Sequence, residues 1–172
     1  TYPLPEAQVD RFMMKVLVGY PSEDEEFVIV ERVIGPAIDI GAVITTEQLA
    51  QLQKECRAAY VDPSLITYAV KLVAATREPA KVGQTDLGKY VAFGASPRAT
   101  IWLIEGARAL AFLRGRNYAL PEDVIDLVPD VLRHRITLTY EAMAAGITAD
   151  SFAERIVKAV PGPAKQLRAA NG

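Results

Sequence analysis

The stretch Gly94-Ala95-Ser96-Pro97-Arg98-Ala99 predicts the start of a long helix in this 172-residue chain. Ser96 is a favourable N-cap, and Pro97 suits the first helical position because the N–H missing there has no helical partner. Apolar residues at helical spacing follow as far as Leu113. Similar helix starts recur along the chain, and together they indicate a mainly α fold.

Arg98 departs from the usual electrostatics of a helix start. The macrodipole favours anions in the first turn, and Arg98 places a cation there. An anion bound at this N-terminus would be attracted by both the dipole and Arg98, and phosphate is the usual such anion. Alternatively, Arg98 folds back onto a carboxylate of the protein itself. The sequence leaves both interpretations open.

Composition restricts the class of protein. A hydrophobic content of 51% with 23% charged residues is typical of a folded domain, and a net charge of −2 gives no reason to expect nucleic-acid binding. Cys56 is the only cysteine, which excludes an intramolecular disulfide and favours a reducing, cytoplasmic location. His134 is the only histidine, so no metal site is predicted. No apolar run is long enough to span a membrane.

The predicted elements are one strand followed by about six helices. The apolar run Phe12–Val18 predicts a buried strand. Helices are expected to begin near Ser22, Thr46, Asp62, Ser96, Pro121 and Ala149, with a polar loop at 78–95 and an extended piece at 136–139. A single strand cannot satisfy its own backbone. We therefore interpret Phe12–Val18 as the last strand of a parallel sheet, and the chain, which begins with Thr1, as part of a longer protein.

Seven segments of the chain, in the same order, resemble the C-terminal part of MoxR-family AAA+ ATPases. They are Thr1-Tyr2-Pro3-Leu4-Pro5-Glu6-Ala7-Gln8-Val9-Asp10-Arg11-Phe12, Gly19-Tyr20-Pro21-Ser22, Ala75-Thr76-Arg77, the Gly94–Ala99 hexapeptide, Leu113-Arg114-Gly115-Arg116, Pro121-Glu122-Asp123-Val124 and Val131-Leu132-Arg133-His134-Arg135. One such segment would be weak evidence, whereas seven in order over almost the whole chain are strong evidence.

The resemblance implies a helical AAA+ lid domain preceded by a remnant strand and turn of an α/β P-loop ATPase core. Residues 1–21 would then end the core, 22–45 would link it to the lid, 46–160 would form the lid, and 161–172 would be a mobile tail. The expected boundaries of the lid thus enclose the Ser96 helix.

The resemblance also implies roles for individual residues. Arg98 is expected to be sensor 2 and, with Ser96 and Pro97, to contact the terminal phosphate of ATP in the same subunit. Arg11 is expected to be the arginine finger, which enters the neighbouring subunit's site and stabilises charge on the transferring phosphoryl group. Considered without the family, Arg11 is more simply an exposed residue at a helix end.

The whole protein implied is an ATPase that uses ATP and Mg²⁺ and works as a homo-oligomeric ring, expected to be a hexamer. Its implied role is chaperone-like remodelling or maturation of client proteins, with partners that carry a von Willebrand A domain. The chain itself contains no G-x-x-x-x-G-K-[ST] loop and no strand ending in an Asp-Glu pair, so alone it is expected to be inactive.

The alternative function is a free-standing, non-catalytic helical interaction module. Such a module would bind another protein through the lid face or through the basic cluster Arg133-His134-Arg135. The simpler interpretation of that cluster is that it complements the dipole at the C-terminus of a helix.

Overall fold

Residues 4–163 are described by a computed structural model, in which they form eight α-helices and one two-stranded sheet. The helices are α1 (Glu6–Val9), α2 (Glu23–Ile34), α3 (Thr46–Ala58), α4 (Pro63–Arg77), α5 (Pro97–Leu113), α6 (Pro121–Leu132), α7 (Tyr140–Ala144) and α8 (Ala149–Ala159). The strands are β1 (Val91–Phe93) and β2 (Thr137–Leu138), and two short 3₁₀ helices span Pro79–Val82 and Thr85–Tyr90. The predicted mainly α fold is confirmed. Of the predicted tail at 161–172, residues 164–172 lie outside the described residues.

The core is built from α4, α5, α6 and α8. Helix α5 packs against α4 and α6, and α8 packs against the same two helices. The largest fully buried side chains come from these helices and from the 3₁₀ segment before β1: Leu65, Leu72, Leu87, Leu103, Leu132, Phe152 and Ile156. Burial of this apolar surface is what holds the helices together.

Local capping explains most helix starts. The side chain of Ser22 accepts a hydrogen bond from Glu25 N–H while Glu25 accepts from Ser22 N–H, as the sequence predicts. Asp62 caps α4 and Ser96 caps α5, each followed by proline at the first helical position. For α3 the prediction is wrong by one residue, because Thr45 rather than Thr46 forms the capping box, with Gln48.

The predicted strand at Phe12–Val18 is not observed. The segment has no regular secondary structure. Its Phe12 N–H donates to the Val9 carbonyl of α1 at 3.1 Å, and its Lys15 N–H donates to the Asp130 carbonyl of α6 at 2.8 Å. A strand needs a neighbouring strand to bond its backbone, and within residues 4–163 none pairs with this one. An apolar run alone was insufficient evidence for a strand.

The sheet lies elsewhere, within the helical part of the chain. Strand β1 pairs with β2 in antiparallel register, with Val91 opposite Leu138 and Phe93 opposite Thr137. The extended piece predicted at 136–139 is thus confirmed. The loop predicted at 78–95 instead contains two 3₁₀ helices and β1, and α7 was not predicted.

Every residue from 15 to 55 is exposed, including all of α2 and most of α3. Apolar side chains are frequent in this stretch and include Val18, Phe27, Val33, Ile34, Ile40 and Val43. So many exposed apolar side chains in one stretch are unusual for a soluble monomer and typical of a segment that contacts another structure.

Candidate functional site

The start of α5 is anchored by close packing against the end of α4. Gly94 lies so near Thr76 that a Cβ on it would be 2.6 Å from the backbone carbon and oxygen of Thr76. The next residue, Ala95, is fully buried and donates its N–H to the Thr76 hydroxyl at 2.9 Å. Arg77 donates to the Ala95 carbonyl at 3.3 Å. These contacts fix where the first turn of α5 begins.

Ser96 connects that first turn to the N-terminal part of the chain. Its Oγ accepts the Arg98 N–H at 3.3 Å and donates to the Asp10 carboxylate, 2.9 Å from Oδ1. Asp10 follows the short helix α1. Pro97 occupies the first helical position, as predicted, and contributes no N–H.

Three side chains converge on the Asp10 carboxylate. Besides Ser96, it accepts from Arg98 Nη1 at 2.8 Å and from Arg135 Nε at 3.1 Å. Partial burial by itself raises the pKa of Asp10, but the hydrogen bonds from Ser96 and Arg98 and the charge of Arg135 outweigh it and hold that pKa below its ordinary value. Of the two interpretations of Arg98, this structure contains the ion pair with a protein carboxylate.

The cluster Arg133-His134-Arg135 forms hydrogen bonds with backbone carbonyls of residues 10–15. Arg135, whose side chain is fully buried, donates to the carbonyls of Asp10, at 2.8 Å, of Phe12 and of Met13, at 3.1 Å. His134 Nε2 lies 3.2 Å from the Phe12 carbonyl, and Arg133 Nη1 donates to the Lys15 carbonyl at 2.8 Å. We call these three side chains the backbone clamp.

The charge states within the clamp follow from its burial. Burial lowers the pKa of His134, and the nearby charges of Arg135 and Lys15 act in the same direction, against the hydrogen bond to Phe12. The neutral ring that this favours donates from Nε2. Arg135 Nη1 also donates to the Val131 carbonyl in the last turn of α6, as expected for a cation at the C-terminus of a helix, so binding of residues 10–15 is a second role of this cluster. The signal for it in the sequence was three consecutive residues of basic type directly after α6.

The backbone around Arg11 is fixed by hydrogen bonds, whereas its side chain has no partner among residues 4–163. The clamp binds carbonyls on both sides of it, and its own N–H donates to the Gln8 carbonyl at 3.1 Å. Its side chain is exposed and forms no hydrogen bond or ion pair with any residue in 4–163. A fixed backbone with an unpaired guanidinium suits a residue whose partner is another molecule.

A second ionic cluster has a structural role. The carboxylate of Asp123 is fully buried and accepts from Arg116 Nη2 at 2.6 Å, from Arg114 Nη1 at 2.8 Å and from Leu120 N–H at 2.8 Å. Gly115 between the arginines has φ +73°, which lets the chain turn after α5. This cluster joins the end of α5 to the start of α6, so these arginines are not site residues.

The described residues contain neither a metal-binding cluster nor a membrane-spanning helix. No group of three or more His, Cys, Asp or Glu side chains in residues 4–163 is arranged to hold a metal ion. Within the same residues, no helix is both long and apolar enough to cross a lipid bilayer.

The sequence and the structure are similar to known proteins. A family model described as the AAA lid domain matches residues 83–156. Chaperone MoxR1 of Mycobacterium tuberculosis is 45% identical over 162 residues, which cover 94% of this chain and 43% of that protein. YeaC of Bacillus subtilis is 37% identical over 168 residues, or 96% of this chain and 50% of YeaC.

A solved structure agrees with these similarities. The crystal structure of a protein assigned as an ATPase, from Cytophaga hutchinsonii, superposes with a TM-score of 0.89 at 38% sequence identity, and the match covers 94% of this chain and 50% of that one. The chain thus spans about half the length of the relatives that it matches.

Proposed function

Because the chain belongs to the MoxR family of AAA+ ATPases, we propose that it is the lid-bearing part of a protein that hydrolyses ATP to drive chaperone-like remodelling or maturation of partner proteins. The name of the M. tuberculosis relative, Chaperone MoxR1, supports the chaperone role. In this proposal the chain supplies two arginines to ATP hydrolysis, each at a different nucleotide site.

Arg98 acts as sensor 2 on the nucleotide of its own subunit. Its guanidinium stands at the N-terminus of a 17-residue helix, where the dipole also attracts a phosphate. Ser96 and Pro97 place that turn, and the Arg98 side chain is 44% exposed, so it is accessible to a ligand. These features fit a contact with the terminal phosphate of ATP.

Arg11 acts as the arginine finger on the nucleotide of the neighbouring subunit. The observation that carries this assignment is the combination described above, a clamped backbone with an exposed and unpaired guanidinium. An arginine of this kind stabilises charge that develops on the transferring phosphoryl group, and in other nucleotide hydrolases it raises the rate by about 10³–10⁵.

The residues of this chain do not supply the other parts of an ATP site, which bind the triphosphate and Mg²⁺. The sequence has no phosphate-binding G-x-x-x-x-G-K-[ST] loop, and residues 4–163 offer no carboxylate cluster for Mg²⁺. The triphosphate and Mg²⁺ would therefore be held by residues of the full-length protein that lie outside this sequence.

The proposal extends to assembly and location. A finger that acts between subunits requires a homo-oligomeric ring, which we propose is a hexamer, in the cytoplasm. Client proteins and partners with a von Willebrand A domain remain part of the proposal on family grounds. The exposed apolar stretch at 15–55 is the observation that favours the alternative, a non-catalytic interaction module.

Subunit mixing in the full-length protein tests both arginine assignments. Arg98→Ala is expected to weaken ATP binding and turnover, whereas Arg11→Ala is expected to lower turnover with nucleotide binding largely intact, because its contact forms mainly in the transition state. Each variant is then mixed with a subunit whose phosphate-binding loop is disabled but whose Arg11 is intact, and ATPase activity is measured.

The mixtures separate action within a subunit from action between subunits. The Arg11→Ala subunit keeps a sound site of its own and should regain activity from its partner's finger. The Arg98→Ala subunit should not. Equal rescue of both variants, or rescue of neither, would contradict the roles proposed for these residues.

A further inference from the structure

Arg98, which the proposed function assigns to the phosphate of ATP, is paired with Asp10 in this structure. Asp10 accepts one N–H of Arg98 Nη1 at 2.8 Å and carries the charge opposite to the guanidinium, so Asp10 and a phosphate compete for the position and the charge of the same side chain. The structure therefore presents Arg98 in a state in which its sensing group is occupied by a carboxylate of the same chain.

The partners of Asp10 differ in how firmly they are held. The Arg135 side chain is fully buried and also donates to four backbone carbonyls, those of Asp10, Phe12, Met13 and Val131. The Arg98 side chain is 44% exposed and has Asp10 as its only hydrogen-bond partner among residues 4–163. Of the two arginines, Arg98 is the one that can leave at low cost.

Departure of Arg98 would not leave Asp10 without compensation. The carboxylate would keep the hydrogen bond from Ser96 Oγ and the charge and hydrogen bond of Arg135. A partly exposed ion pair is weak, whereas a terminal phosphate beside a helix N-terminus offers more negative charge and several acceptor oxygens. Exchange of one anionic partner for the other is therefore favourable when ATP is present.

Asp10 also adjoins Arg11 in the chain. A change at the Asp10 carboxylate reaches the turn that carries Arg11, because Arg135 contacts both the side chain and the carbonyl of Asp10. One carboxylate thus lies between the two arginines that the proposed function assigns to different nucleotide sites.

We propose that Asp10 is a positioning residue that binds Arg98 in the absence of ATP, yields it to the terminal phosphate when ATP binds, and thereby links a subunit's own site to its Arg11. The proposal rests on the assignment of Arg98 as the phosphate sensor. It makes Asp10 an internal competitor of ATP, so that removing its charge should favour ATP binding.

The test measures nucleotide affinity in the full-length protein carrying Asp10→Asn, which keeps the shape and an acceptor oxygen. ATP, as a non-hydrolysable analogue, is expected to bind about two- to fivefold more tightly than to the unmodified protein, the range that loss of a partly exposed ion pair permits. ADP affinity should stay the same, because ADP has no terminal phosphate for Arg98 to reach. A merely structural Asp10 would weaken both nucleotides instead.

Two further variants make the result specific. In an Arg98→Ala background, Asp10→Asn should not tighten binding of the ATP analogue, since the arginine for which Asp10 and the phosphate compete is then absent. Asp86→Asn is the matched control, because Asp86 pairs with an exposed arginine, Arg155, on another part of the surface and should leave both affinities unchanged.

Unchanged or weaker binding of the ATP analogue by a folded Asp10→Asn protein would overturn the proposal, as would equal tightening for ADP. If Arg98→Ala alone fails to weaken ATP binding, the sensor assignment fails first, and the two failures are thereby distinguished.

If Asp10→Asn does not fold, hydrogen exchange of residues 8–13 decides. It is measured on the Arg11→Ala protein, which lacks the contact between subunits. The proposal requires faster exchange with the ATP analogue than with ADP, and equal or slower exchange overturns it.

Discussion

Gly94 shows how a single missing side chain places the first turn of α5. A Cβ there would meet backbone atoms of Thr76 at 2.6 Å and Cγ of Arg77 at 2.7 Å. Backbone yields less easily than the end of a flexible side chain, so Gly94→Ala is expected to lower the free energy of unfolding by about 1–3 kcal/mol. Denaturant unfolding followed by circular dichroism measures the change.

Gly88→Ala is the matched control for that substitution. A Cβ on Gly88 would meet no atom within 4 Å, and its φ is outside the left-handed region. The control is therefore expected to change the free energy of unfolding by no more than about 0.5 kcal/mol. Similar losses in the two variants would contradict the packing role of Gly94.

The buried carboxylate of Asp123 makes the free energy of unfolding depend on pH in the acid range. Burial by itself raises the pKa of Asp123, but hydrogen bonds from Arg116 and the Leu120 N–H outweigh it and hold that pKa below its ordinary value of 3.8. The folded state thus binds the proton less well than the unfolded state. The stabilisation by ionised Asp123 is present above about pH 4 and is lost as the pH falls through the lower, folded pKa.

Asp123→Asn is expected to remove that part of the acid dependence and to cost about 3 kcal/mol at neutral pH, because the partly buried charge of Arg116 loses its partner. The free energy of unfolding, measured from pH 7 downward, gives both quantities. Asp126→Asn is the control, since Asp126 pairs with Arg114 at a half-exposed position. If the free energy of unfolding of Asp123→Asn falls with acid pH as steeply as that of the unmodified chain, this account is wrong.

At the scale of elements, α2 is a helix that tertiary packing supports little. It has 12 residues, a complete capping box and no buried residue. Helices of this length are marginal in water without tertiary packing. In the isolated chain, amides of α2 are expected to exchange at least about 100-fold faster than those in the middle of α5, which is packed in the core.

Hydrogen exchange resolved by segment measures the difference, and α5 serves as the internal reference. Comparable protection of α2 and α5 in a chain shown to be monomeric would mean that capping and propensity alone stabilise α2, contrary to this expectation.

Elements whose ends are set by local chemistry were predictable from the sequence. The caps Ser22, Asp62 and Ser96 each act on residues two or three positions away, so a short stretch contains the whole signal. The strand at Phe12–Val18 was not predictable in the same way, because strand formation depends on a partner elsewhere. An apolar run fits a strand or an exposed surface awaiting a partner equally well.

The same distinction applies to the candidate site. The position of Arg98 in the first turn of α5 was predictable from the Ser-Pro start, and the possibility of a carboxylate partner was recognised. The identity of that partner, Asp10, was not, since 88 positions separate it from Arg98. The backbone clamp escaped prediction for the same reason.

At the scale of the whole molecule, the isolated 172-residue chain is expected to show no ATP hydrolysis above background with Mg²⁺ and ATP. The two arginines are proposed only to assist ATP hydrolysis, and the sequence supplies no phosphate-binding loop. The measurement is phosphate release. The Arg98→Ala chain is the control, because contaminating activity should be the same in the unmodified chain and in this variant. Turnover that survives further purification and falls in the variant would contradict this prediction.

The backbone clamp has a consequence for the order in which the molecule is made. Arg135 and Asp10 are 125 positions apart, so the clamp cannot close until most of the chain has been synthesised. Contacts of such long separation form late, after neighbouring helices have packed. Arg11 therefore emerges from the ribosome well before the clamp residues do and is fixed in place only when the helical body is nearly complete. A subunit that presents Arg11 at a defined position has therefore finished folding, and under the proposed function only such a subunit acts on the nucleotide of its neighbour.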